Sequence, residues 1–101
     1  MNNPDNNPKN NQDIQVKLTD AVLAGSYANM VQVGHSPEEF VLDFMNVYPP
    51  QGIVTSRVIV SPSHMKRIVA ALQENISRYE AQYGKIAEGN TNQPSVGFRT
   101  E

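Results

Sequence analysis

The sequence contains no cysteine, which excludes a disulfide framework, a thiol nucleophile and every thiolate metal site. No apolar run approaches the roughly 18 residues that span a bilayer, so no membrane-crossing helix is expected. Residues 1–12 carry nothing apolar after Met1, so they do not read as a secretory leader and the expected location is cytoplasmic. Neither sign of charge dominates. Eight Lys+Arg against ten Asp+Glu leave a net charge of −2, too weak a field to gather polyanions or anionic lipid. Nucleic acid and membrane are therefore not expected as partners. Aromatic residues make up only 7% of the 101 residues, and their core-like spacing does not form a base-stacking platform.

The polar residues are concentrated at the two ends. Residues 1–12 include Asn at 2, 3, 6, 7, 10 and 11, and with so little to bury they read as a disordered arm. Residues 87–101, built mainly of Gly, Asn, Thr, Pro and charge, read as a disordered tail. Between them, residues 13–86 form one expected α+β domain, of a size at which a single hydrophobic core is only marginally sufficient. That shortage favours a homodimer.

Within this domain, Ile14, Val16 and Leu18 alternate with polar residues, the period of a strand. Thr19-Asp20 can cap a single helical turn that Gly25 closes. Tyr27–Val33 is rich in β-formers and reads as a second strand. After a turn at Gly34–Glu39, Phe40, Leu42 and Phe44 alternate with Val41, Asp43 and Met45 in a third, hairpin-paired strand. Tyr48-Pro49-Pro50-Gln51-Gly52 breaks the pattern, and Ile53–Val60 is the fourth strand. Ser61-Pro62 then opens a helix. Met65, Ile68, Val69, Leu72, Ile76, Tyr79 and Tyr83 lie on one stripe of it, Glu74 and Arg78 pair on its wet side, and Gly84 ends it. The predicted fold is a four-stranded, mainly antiparallel sheet with one long C-terminal helix packed on it.

One helix covers one face of such a sheet. If Phe40, Leu42 and Phe44 face the helix, the other parity still carries Val41 and Met45, and the last strand is apolar on both parities. A second apolar patch of this kind is expected to meet another protein surface, most simply an identical subunit. The candidate interface is Met30, Val41, Met45, Ile53 and Ile59. Met65, Ile68, Leu72, Ile76 and Tyr79 are expected to form the core between helix and sheet.

Catalytic chemistry finds little support. His35 and His64 are far apart in sequence and form no local ligand pair, so no metal site is expected. Glu38-Glu39 reads as a solvated turn, no serine lies in a nucleophile elbow, and the glycines are too scattered to cradle a phosphate. Lys66-Arg67 with Arg57 is the one basic cluster, and it reads as a solvated helix face balanced by nearby acids. No catalytic residue, metal or cofactor is expected, and the protein reads as a non-enzyme.

The run Gly34-His35-Ser36-Pro37-Glu38-Glu39-Phe40-Val41-Leu42-Asp43-Phe44, followed by Ser56–Pro62, Leu72–Ile76 and Tyr79-Glu80, resembles a family of short prokaryotic proteins, domain of unknown function 3467. The resemblance covers roughly Ile14 to Ile86 and brings no catalytic residues. In one bacterial phylum, members of the family are encoded beside the large RNA polymerase subunits, so the resemblance implies an accessory, protein-binding role near transcription. Strands followed by a long helix are also similar in order to the small chaperone SecB, with no shared motif. That analogy implies, as the alternative, an oligomeric holdase that takes unfolded chains in an apolar groove.

Overall fold

A computed structural model describes residues 13–89 and 97 of the chain. The arm expected over 1–12, and all of the tail expected over 87–101 beyond residue 89 except Gly97, lie outside the described residues. The elements are α1 (Asp20–Leu23), β1 (Met30–His35), β2 (Phe40–Tyr48), β3 (Gln51–Val60) and α2 (Pro62–Tyr83). The strands form one sheet in the order β1-β2-β3. Both connections are too short for a crossover, so neighbouring strands run antiparallel.

The expected four-stranded sheet is thus corrected to three strands. Ile14–Leu18 is not a strand, and Val16 is 87% exposed. Alternation alone does not make a strand. The ladder has to satisfy the backbone groups, and among the described residues no neighbouring strand pairs with this segment. β1 also begins three residues later than expected and continues to His35. The Asn29 amide donates to the Met45 carbonyl at 2.9 Å, and the Asn29 side chain brackets Val47, accepting from its N–H at 2.8 Å and donating to its carbonyl at 2.9 Å. A side-chain amide thereby supplies the pair of bonds that a strand residue would otherwise make.

Two hairpins build the sheet. In the first, the Ser36 amide donates to the Glu39 carbonyl at 2.9 Å, and the Ser36 hydroxyl accepts from the Glu38 amide at 3.2 Å. The second turns on Pro49-Pro50 alone, joined by a cis peptide bond. β3 therefore starts at Gln51 rather than Ile53. Two prolines suit a turn in which no donor is required, and the ladder then runs through Gly52. A Cβ on Gly52 would approach Val47 Cγ2 to 3.2 Å, so glycine fits this close approach.

The helices follow their end signals. α1 is a single turn after Thr19, with Gly25 beyond it at φ 79°. α2 begins where Ser61-Pro62 predicts, and the Ser61 hydroxyl accepts from the His64 amide at 3.2 Å. It ends at Gly84, whose φ of 101° and ψ of 168° lie outside the left-handed helical region expected there. That conformation is essentially restricted to glycine.

By compactness the chain divides into two units. One holds α1, β1 as far as Gly34, and Val41–Val58, while the other holds His35–Phe40 and the chain from Ile59. In the first, the central strand β2 carries the only buried residues among those described, Met45 at 3% exposure and Asp43 at 6%. Both lie on one face of β2, two positions apart. In the second, Met65 and Ile68 are half-buried, but Leu72 is 59% exposed, and Ile76 and Tyr79 are exposed as well. The α2 positions expected to be core are thus half-buried at its start and exposed further along.

Candidate interaction surface

The two strands of the second hairpin each carry one charged residue, Asp43 in β2 and Arg57 in β3. They meet. Arg57 Nε donates to Asp43 Oδ1 at 2.7 Å and its Nη2 donates to Oδ2 at 2.8 Å, a bidentate pair. A carboxylate buried in an apolar strand needs such compensation. The guanidinium hydrogen bonds hold the Asp43 carboxyl below the usual carboxylate range, burial works against them, and the charge of Arg57 adds to the lowering. Arg57 is raised in turn by the same hydrogen bonds and charge. This engagement takes Arg57 out of the basic cluster with Lys66 and Arg67.

The candidate interface residues lie in different settings. Met45 is buried, Met30 and Val41 are half-buried, and Ile53 and Ile59 are 66% and 55% exposed. Val31, Val33, Val54 and Val58 are also exposed on the strands. On α2 the exposed set continues with Val69, Leu72, Ile76, Tyr79 and Tyr83. The rings of Tyr79 and Tyr83 lie 5.0 Å apart, tilted by 51°. The opposite side of the helix carries the Glu74–Arg78 ion pair. What these surfaces can do chemically is remove apolar area from water against another protein.

The titratable residues stay in local settings. His35 ends β1 with its ring centroid 5.6 Å from that of Phe40. The amide of His64 is bonded to the Ser61 cap. The Ser36 hydroxyl donates to Glu38 Oε1 at 3.4 Å. Among the described residues no group of three or more His, Asp or Glu is placed to hold a metal ion.

A family model described as Protein of unknown function (DUF3467) matches residues 1–88. The chain belongs to this family. No curated protein and no solved structure matches it. In this DUF3467 protein, two structural features escape a reading by residue type, the Asn29 bracket and the Asp43–Arg57 pair. The second had a signal: two consecutive strands, each with a single charge, of opposite sign and at nearly equal distance from the Pro49-Pro50 turn. The first had none, because an asparagine before a strand is an ordinary turn residue. No α2 helix is long and apolar enough to cross a membrane, nor is any other helix among the described residues.

Proposed function

We propose that this DUF3467 protein is a non-enzymatic, cytoplasmic accessory subunit that acts as a homodimer and binds another protein through its apolar surface. One observation carries the reading. Large apolar side chains of β1, β3 and α2 are exposed while Met45 is the only apolar residue buried among those described. A chain with so little core gains most of its hydrophobic stabilisation by association. The family resemblance makes RNA polymerase the first partner to test.

The test is a titration of the purified chain against RNA polymerase, run beside an assay of aggregation of unrelated, thermally unfolded proteins. An accessory subunit gives a saturable complex of fixed stoichiometry and leaves the aggregation unchanged. Suppression of aggregation without a saturable complex contradicts the proposal and favours a holdase. Ile59→Asp places a charge on exposed β3 and is expected to weaken self-association or partner binding. If both remain intact, Ile59 lies outside the interface.

A further inference from the structure

The large apolar positions of α2 have a second regularity. Met65, Val69, Leu72, Ile76, Tyr79 and Tyr83 are separated alternately by four and three residues along the whole helix. This is the seam of a coiled coil, with Val69, Ile76 and Tyr83 at the a positions and Met65, Leu72 and Tyr79 at the d positions. Glu74 and Arg78 fall at f and c, away from the seam, where their ion pair is solvated. Half-buried Ile68, at a g position, widens the stripe near the start of the helix, and beyond it the large apolar residues narrow to a and d alone.

We propose that α2 pairs with α2 of a second copy of this chain in antiparallel orientation, an inference that rests on the homodimer reading above. Residue size and charge fix the direction. An antiparallel pair sets Tyr83 of the second copy against Met65, its Tyr79 against Val69 and its Ile76 against Leu72. The two neighbouring tyrosines at one end, their rings tilted against each other, then cover the smaller side chains at the other, and each ring gains a flexible or compact neighbour. A parallel pair would place Tyr83 on Tyr83 and leave the valines facing each other.

The flanking positions agree. Lys66 and Glu80 both occupy e positions, and e positions face each other across an antiparallel seam, so Lys66 of each copy meets Glu80 of the other. The two-fold symmetry forms this contact twice. Glu80 is held ready: its Oε2 accepts from the Ile86 amide at 3.0 Å, which fixes the carboxylate against the helix end. In a parallel pair, e positions face g positions, which hold Ile68, Asn75 and Gln82, and no ion pair forms.

The absence of cysteine makes a cross-linking test clean. Asn75 lies at the g position beside the proposed two-fold axis, so Asn75→Cys in the full chain should oxidise to a covalent dimer. The two copies of residue 83 stand at opposite ends of the antiparallel seam, since 65 and 83 are about 27 Å apart at 1.5 Å per residue. Tyr83→Cys should therefore yield none. A charge swap supplies the second measurement, by sedimentation equilibrium. Lys66→Glu should raise the dimer dissociation constant about fivefold or more, because two exposed contacts turn repulsive, and Lys66→Glu with Glu80→Lys should restore it. Circular dichroism confirms that each variant keeps its helix. A dimer that cross-links through position 83 and not 75, or that shows no response to the charge swap, overturns the antiparallel pairing and leaves the homodimer standing. A monomeric full chain overturns both, whereas loss of the polymerase complex with the dimer intact overturns only the proposed partner.

Discussion

Asp43 and Arg57 make the hairpin sensitive to acid. Folding lowers the Asp43 pKa from an ordinary carboxylate value of about 3.9, through the two guanidinium hydrogen bonds. The stabilisation is fully present above that ordinary value and is lost as pH falls through the lower, folded one. Urea midpoints of the wild type and Asp43→Asn should therefore differ at pH 6 and converge at the acid end. A constant difference across the range would mean that the carboxylate charge has no part in the effect. Met45, the buried apolar residue, should cost about 2–5 kcal/mol when replaced by alanine, read from the urea midpoint. Asn29→Ala removes both bonds that bracket Val47, and faster hydrogen exchange of the Val47 amide is the expected result.

At the scale of elements, the ends of α2 carry separable contributions. Ser61→Ala removes the acceptor for the His64 amide and should lower stability by about 1 kcal/mol in thermal unfolding. Gly84→Ala forces a side chain into a conformation that only glycine adopts readily, at a cost of about 1–3 kcal/mol. Gly34→Ala, where no atom lies within 4 Å of an added Cβ and φ is not positive, should be close to neutral. These ends were legible in the sequence because capping chemistry is local: Ser61-Pro62 and Gly84 bound the helix without help from any distant residue. The turns at Ser36–Glu39 and Pro49-Pro50 were legible for the same reason. Ile14–Leu18 alternates like a strand without being one, because a strand exists only with a partner and alternation says nothing about whether one is available. The reach of β3 back to Gln51 depended on the approach of Val47 to Gly52, a contact between segments that no local pattern records.

For the whole molecule, apolar spacing on α2 supported two readings, a face packed on the chain's own sheet or a seam for another chain. Periodicity identified the residues that share the apolar face, but not the surface which that face meets. The exposure of Leu72, Ile76 and Tyr79 in the single chain favours association, and the Met45–Asp43 centre of β2 is small for a fold of this length. Under the proposed self-association, stability should depend on protein concentration. The thermal midpoint is expected to rise as the concentration increases from micromolar to hundreds of micromolar, and a midpoint independent of concentration would mean that each chain folds alone. The most direct test is the solution mass of the full chain by sedimentation equilibrium. Self-association through the apolar surface predicts twice 11.2 kDa, and a species that stays at 11.2 kDa throughout this range would contradict it.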